Sequence, residues 1–142
     1  MNNIIMSPLQ HTAVIEVRYA ETDAMAIVHH AVYAIWFEQA RTELMRTHGA
    51  SFADIENEGY HSPLLHLETD YFKPCRYGDF AEVHVSLGRI DRLRFRFFYE
   101  VSVKGELHTK GSTTHIFTYK DKPCREFPAT FMNVFFPENQ KA

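Results

Sequence analysis

The first recognisable element of the chain is a stretch in which apolar and polar residues alternate. One face holds Ala13, Ile15, Val17 and Tyr19, and the other holds Val14, Glu16 and Arg18. Successive side chains of a β-strand point to opposite faces, so this period of two is typical of a strand. We therefore predict a strand over residues 12–19 with one buried face.

An apolar stripe with helical spacing follows. Its members are Tyr33, Phe37, Ala40 and Leu44, and Trp36 widens it. Steps of four, three and four residues bring side chains onto one face of an α-helix. Gly49 stands where a helix commonly ends. We predict a long helix up to this glycine and a second, short helix over residues 51–58.

The rest of the chain has the pattern of strands separated by short turns. The predicted strands cover residues 65–71, 81–90, 93–103 and 108–119, with a hairpin turn over 104–106. Consecutive hairpins produce an antiparallel sheet, and only one long helix is available to cover it. The fold class is therefore α+β. Because one helix leaves a face or an edge of the sheet uncovered, we expect an oligomer.

Composition and charge narrow the function further. A chain of 142 residues is the size of one domain, so we assign residues 1–142 to a single domain. The formal net charge of -3 argues against a nucleic-acid binder. Cys75 and Cys124 are too few for a disulfide scaffold and are expected to be free thiols. With no apolar run of membrane-spanning length and no secretory pattern at residues 1–11, we expect a cytoplasmic protein without a membrane span.

Asp23 is the first candidate for chemistry because it lies between the predicted strand and the predicted helix. A carboxylate there can act on a carbonyl that points at the helix N-terminus, where unpaired backbone N–H groups near His30 and Ala31 stabilise negative charge. The alternative is that Asp23 merely caps a turn, which aspartate often does.

The segment from Arg18 to Arg46 carries a recognisable motif. Its residues, in order, are Tyr19, Asp23, Val28, His30, Tyr33, Trp36, Phe37, Glu38, Ala40, Arg41 and Glu43, and a later part comprises Tyr71, Pro74, Tyr77, Gly78, Asp79 and Pro128. This pattern resembles the 4-hydroxybenzoyl-CoA thioesterase family, in its acyl-CoA thioesterase branch. The resemblance covers nearly the whole chain.

The resemblance implies a hotdog fold, in which a curved antiparallel sheet wraps around one long central helix. It also implies homodimers joined edge to edge, or homotetramers, with active sites at the dimer interface. Asp23 would act as general base or as nucleophile, and the backbone N–H of His30 would polarise the thioester carbonyl. The expected reaction is hydrolysis of an acyl-CoA, or of another acyl-pantetheine thioester, without a metal or a bound cofactor.

Two positions depart from the family pattern. Ala26 stands where the family often has Gly, which matters only if the backbone there requires a positive φ. Val32 replaces a frequent Asn, which would supply a cap or a substrate hydrogen bond.

Four further residues are candidates for substrate binding. Tyr33 and Phe37 belong to the helix core and could also form the wall of an acyl pocket. Arg92 and Arg94 alternate with apolar residues, and together with Arg96 they would place three cations on one strand face. A solvated face is the simple explanation, whereas a docking site for the phosphates of coenzyme A is the functional one.

Several alternatives stay open. Glu38 is a second candidate carboxylate, although a helix-surface pair with Arg41 explains it as well. The adjacent His29 and His30 would need distant ligands to hold a metal. Rival functions are a hotdog hydratase or dehydratase and a non-catalytic binding module for acyl-CoA or an acyl carrier protein. An acyl carrier protein is also a possible carrier of the substrate.

Overall fold

The computed structural model describes residues 3–140, which contain eight strands, three α-helices and two 3-10 turns. The strands are β1 (Ile5–Glu16), β2 (Tyr60–His61), β3 (Leu64–Tyr71), β4 (Phe80–Arg89), β5 (Arg94–Val103), β6 (Glu106–Ile116), β7 (Thr118–Tyr119) and β8 (Lys122–Pro123). The helices are α1 (Val32–Thr47), α2 (Phe52–Asn57) and α3 (Ala129–Phe135), and the 3-10 turns are Tyr19–Glu21 and Pro137–Gln140. None of the described helices is long and apolar enough to cross a membrane.

Five strands form one antiparallel sheet in the order β1-β4-β5-β6-β3. β2, β7 and β8 form a second, small sheet. The register of the large sheet shifts within β1, between Met6 and Gln10, and at the start of β3, between Leu64 and His66. Such irregularities bend strands and increase their twist, as a sheet that curves around a helix requires.

The long helix α1 covers the sheet mainly at β1 and β4. Its predicted stripe is buried, and the ring of Phe37 stacks on Tyr99 of β5 with 4.2 Å between centroids. The Phe37 ring also lies directly over Gly111 of β6, where a Cβ would come within 2.6 Å of it. The expected α+β hotdog arrangement, with an antiparallel sheet packed on one long helix, is confirmed.

The boundaries of the first strand were predicted wrongly. β1 starts seven residues earlier than expected and ends at Glu16, and the chain then enters the 3-10 turn at Tyr19. The shift in register near Met6 interrupts the alternation on which the prediction depended. Tyr19 is consequently exposed instead of buried.

Near the C-terminus the structure has elements that the sequence patterns missed. The predicted strand over residues 108–119 breaks after Ile116, and the chain passes into the small sheet as β7. Helix α3, which contributes Phe131 and Phe135 to the core, was also not predicted. Residues 1–2 and 141–142 lie outside the described part, so the single domain over 1–142 stays a prediction.

The edge strand β3 of the large sheet carries exposed apolar side chains. Leu65 and Leu67, which share a face with Tyr71, are 54% and 42% exposed. They lie on the side of the sheet that faces α1, but α1 packs mainly over β1 and β4, so both leucines stay exposed within residues 3–140. An edge strand with exposed apolar side chains and unpaired backbone groups is suited to pairing with another chain.

A buried carboxylate fixes α1 to the end of β1. Glu21 is 6% exposed, and its side chain accepts hydrogen bonds from the backbone N–H of Arg18 at 2.8 Å and from the indole Nε1 of Trp36 at 2.9 Å. Burial by itself would raise the pKa of Glu21, but these donors and the Arg18 guanidinium at 3.6 Å together hold it below its ordinary value.

Replacing Glu21 by Gln should destabilise the protein by about 2–3 kcal/mol at pH 7, because the amide NH2 would face one of two N–H donors. Chemical unfolding of both proteins measures this difference. A carboxyl with a lowered pKa stabilises the fold fully above its unfolded pKa and loses that contribution as the pH falls through the folded value. The difference should therefore shrink in acid. The exposed Glu82→Gln is the control, and an equal effect of both substitutions would contradict the anchoring role.

Candidate active site

Asp23 lies in a short closed loop between the 3-10 turn and α1. An isolated β-bridge joins Thr22 to Val28, and the backbone N–H of Asp23 donates to the carbonyl of Ile27 at 2.8 Å. One carboxylate oxygen, Oδ1, accepts the backbone N–H of Met25 at 2.8 Å. Within residues 3–140 the second oxygen, Oδ2, accepts no hydrogen bond. The side chain thus has the role of a turn cap and still presents one oxygen for chemistry.

The loop places Ala26 in the left-handed region, with φ at 61°. Its backbone N–H donates to the carbonyl of Asp23 at 2.9 Å and closes the turn. The departure from Gly at this position therefore has a cost, because a Cβ makes left-handed backbone unfavourable by about 1–2 kcal/mol.

At the N-terminus of α1 the backbone N–H groups donate to a backbone carbonyl and to an imidazole, and the N-cap residue supplies no side chain. Ala31, at the N-cap position, makes no side-chain cap, and Val32 packs against the core. The backbone N–H of Ala31 donates to Nδ1 of His29 at 3.1 Å, while the N–H of Val32 donates to the His29 carbonyl at 3.0 Å. Among the described residues, the backbone N–H of His30 has no acceptor. It is therefore available to a ligand, and the helix dipole favours negative charge there.

Asp23 and His30 line one open cavity of about 280 Å³. The remaining lining residues are mostly apolar or aromatic, and they are Met25, Ile27, Val28, Tyr33, Tyr71, Phe72, Lys73 and Pro74. The cavity is thus lined by a residue with a carboxylate and by the residue whose backbone N–H is unpaired, and its wall is largely apolar. Such a site can hold an acyl group while water and a carbonyl meet the two polar groups.

Tyr33, which lines this cavity, and the buried Cys75 are neighbouring titratable groups. Burial raises the pKa of the Tyr33 hydroxyl, and burial likewise raises the pKa of the Cys75 thiol. Cys75 contacts Nδ1 of His108 at 3.7 Å. Both groups are therefore neutral near pH 7, so neither supplies a phenolate or a thiolate to the cavity.

The predicted substrate-binding residues are only partly brought together. Tyr33 lines the Asp23 cavity, whereas Phe37 is fully buried in the core and does not. Arg92 and Arg94 lie at the opposite end of the sheet, because Arg94 pairs with Ile116 of β6 and the cavity residue Tyr71 pairs with Thr109. Within one chain these arginines are therefore remote from Asp23.

The predicted three-arginine face also needs correction. Arg92 lies in the turn before β5, Arg94 forms an ion pair with Asp91 at 2.8 Å, and Arg96 donates to Thr114 at 2.8 Å. Arg92 instead lines adjoining clefts together with Arg125, and one of these clefts also contains Arg89. Sequence spacing gave no signal for Arg125, because it reaches this place through the small sheet.

Glu38 lies away from the Asp23 cavity. Its exposed carboxylate contacts the half-buried Arg41 at 3.6 Å, and both line a separate cleft that includes Ser62. Arg41 also donates to the hydroxyl of the buried Tyr99 at 3.4 Å. This arrangement matches the predicted helix-surface pair. In the part of the chain that the structure describes, no three His, Cys, Asp or Glu side chains group closely enough to hold a metal ion.

Substituting Ala26 by Gly should stabilise the protein by about 0.5–1 kcal/mol, since Gly adopts a positive φ without the Cβ penalty. Thermal or urea unfolding measures the change. The matched control is Ala24→Gly in the same loop, because Ala24 lacks a positive φ and Gly there should destabilise the fold. If both substitutions lowered stability equally, the strain assigned to Ala26 would be wrong.

Comparison with known proteins identifies the family. Residues 17–135 match the family model described as the thioesterase-like superfamily. A Bacillus subtilis protein with the provisional name acyl-CoA thioesterase YneP is 39% identical over 108 residues, which cover 75% of this chain and 78% of that protein.

Solved structures agree with the fold. A hypothetical protein from Aquifex aeolicus superposes with a TM-score of 0.83 at 32% identity, over 87% of this chain and 98% of that chain. A DHNA-CoA thioesterase from Staphylococcus aureus superposes with a TM-score of 0.74 at 37% identity, over 93% of this chain and 87% of that one. The chain is a thioester hydrolase by class, and it belongs, as its motif predicted, to the thioesterase-like superfamily of hotdog proteins.

Proposed function

We propose that this thioester hydrolase cleaves an acyl-CoA, or another acyl-pantetheine thioester, to a free acid and a thiol, with Asp23 as the catalytic carboxylate. The observation that carries the proposal is the shared cavity of Asp23 and the unpaired His30 N–H at the N-terminus of α1. The names of the Bacillus and Staphylococcus relatives support an acyl-CoA substrate.

In this proposal the His30 N–H and the dipole of α1 hold the thioester oxygen as it gains negative charge. Asp23 either takes a proton from water, which attacks the carbonyl carbon, or attacks that carbon itself to form a mixed anhydride that water then cleaves. In both routes the C–S bond breaks and the sulfur leaves as thiolate. The acid keeps the OH of one water, and the thiolate takes up the remaining proton to give the thiol. No step uses a metal or a bound cofactor.

Asp23→Asn should lower kcat by at least about two orders of magnitude, because the amide can neither accept the proton nor attack. The measurement is thiol release from a panel of acyl-CoAs running from acetyl to palmitoyl, with benzoyl-CoA included. The comparison variant is Glu38→Gln, which should keep most of the activity because Glu38 lies outside the cavity.

The panel also separates the rival functions. Full activity of Asp23→Asn with loss in Glu38→Gln would move the catalytic role to Glu38. Turnover of enoyl-CoA without thiol release would indicate a hydratase. Tight binding of acyl-CoA with no turnover by the wild type would indicate a binding module, and turnover of acyl carrier protein substrates alone would name that carrier.

We further propose that the working unit is a homodimer, or a homotetramer built from it, in which two β3 strands pair antiparallel. The exposed Leu65 and Leu67 support this pairing, since a second copy would cover them. Polar contacts also fit it. With Leu67 at the two-fold axis, His66 of one copy lies opposite Glu68 of the other, where an imidazole and a carboxylate can form a hydrogen bond across the strands.

This pairing changes the position of Arg92 and Arg94 relative to the site. Within one chain they are separated from Tyr71 by the length of β6, roughly 24 Å at ~3.4 Å per residue. In the antiparallel pair, the start of the second copy's β3 lies beside Tyr71, and its β5 follows three strand spacings away, roughly 14 Å. Arg92 and Arg94 of one copy would then bind the distal phosphates of a substrate held by the other, with Tyr33 at the acyl group.

A mixed dimer tests both ideas together. Arg92→Ala alone should raise KM for acyl-CoA about five- to tenfold with little change in kcat, because it removes phosphate contacts. Arg94→Ala should have a smaller effect on KM, since Arg94 is already paired with Asp91.

The mixed dimer combines one Asp23→Asn subunit with one Arg92→Ala subunit and is isolated through two different tags. If each site uses Asp23 of one copy and Arg92 of the other, both defects fall in the same site. The second site is then intact, so the dimer should show a wild-type KM at half the wild-type rate.

If Arg92 serves the site of its own chain, each site of the mixed dimer carries one defect and KM stays raised. Sedimentation of the wild type provides the control for assembly. A monomer with full activity would contradict the dimer, and a dimer that survives Leu67→Lys would contradict pairing along β3.

A further inference from the structure

Tyr71 makes a contact that neither the catalytic motif nor the family resemblance assigns. It is the last residue of β3, and its hydroxyl donates a hydrogen bond to the backbone carbonyl of His30 at 3.0 Å. Its ring also packs edge-on against Tyr33, with 5.4 Å between centroids. The tyrosine therefore connects the end of an edge strand to the loop that precedes α1.

The peptide between His30 and Ala31 is held at both of its polar ends. Tyr71 binds its carbonyl oxygen, and Nδ1 of His29 binds its N–H at 3.1 Å. A peptide unit bound at both ends cannot rotate without losing two hydrogen bonds. The N-cap residue Ala31 has no capping side chain, so these two contacts and the backbone turn at Val32 orient this end of α1.

The direction of the His30 carbonyl affects what a substrate meets beside the N–H of the same residue. The N–H of His30 is the unpaired donor of the cavity, whereas the carbonyl of the same residue is an acceptor that repels a developing oxyanion. A hydrogen bond from a hydroxyl occupies the carbonyl oxygen, so that its partial negative charge no longer faces the substrate beside the N–H donor. The same bond fixes the direction of the carbonyl.

We propose that Tyr71 is a positioning residue for the reaction: its hydroxyl holds the His30 carbonyl aside, so that the N–H of His30 and not this carbonyl faces the thioester oxygen. The inference rests on the proposed function, because it concerns the same oxyanion. It assigns the effect on the reaction to the hydroxyl of Tyr71, whereas the ring of Tyr71 is part of the cavity wall.

Tyr71→Phe keeps the ring and removes only the hydroxyl. We expect kcat to fall about three- to tenfold, the value of one ordinary hydrogen bond to a partly exposed group, with KM within about twofold of wild type. The pH dependence of kcat on its acidic side, which reports the carboxylate, should keep its midpoint. The hydrogen exchange of the Ala31 amide should become faster, since its peptide is then held at one end only.

Tyr77→Phe is the matched control, because Tyr77 is an exposed tyrosine whose hydroxyl makes no hydrogen bond within residues 3–140. It should change neither kcat nor the exchange of Ala31. An unchanged kcat in Tyr71→Phe, or a fall that matches a loss of dimer or of thermal stability, would overturn the positioning role. If the wild type hydrolyses no thioester, the proposed function fails, and unchanged exchange of Ala31 would separately refute the clamp.

Discussion

The buried carboxylate of Glu21 is the contact on which the arrangement of this site depends. Its side chain binds the indole of Trp36 and the backbone of Arg18, and its own carbonyl accepts the N–H of His29 at 2.9 Å. One residue therefore contacts three elements: the chain just after β1, the second turn of α1 at Trp36, and the loop before the helix. A charge removed from water is stable only when its hydrogen bonds are complete, so these elements are held in one relative position. The loop of Asp23 is closed between them.

With its two ends fixed, the loop tolerates an unfavourable residue. Ala26 stays in the left-handed region because the Asp23–Ile27 hydrogen bond and the Thr22–Val28 bridge leave the turn no other path. Backbone strain persists where the surrounding structure determines the conformation, and it is frequent at functional sites. The same hydrogen bonds fix the backbone around His30 and leave its N–H without a partner. A donor that is held in place and unpaired is preorganised for a ligand.

The other constraint is the incomplete cover of the sheet. α1 packs mainly over β1 and β4 and meets β6 through the ring of Phe37 on Gly111, so Leu65 and Leu67 on the inner face of β3 stay exposed. The cavity opens at this edge, because Tyr71 and Phe72 are among its walls. A second copy paired along β3 would therefore complete the core and the substrate site by the same contact. This explains how Arg92, remote from Asp23 in its own chain, fits a role in the proposed reaction.

The sequence by itself determined the α+β class, the buried stripe of α1, the coarse succession of helix and long strands along the chain and the family, because period and motif are local properties. It also singled out Asp23 and His30 as candidates, which lie close together along the chain. It predicted Phe37 in the core but did not decide whether Phe37 also lines the pocket, and it did not place Arg92 beside Arg125, because those positions depend on which strands meet. It singled out Ala26 as a departure without revealing its positive φ, since a dihedral angle follows from long-range closure of the loop. Only the tertiary structure decided that Tyr71 meets the carbonyl of His30, a contact across 41 residues of sequence.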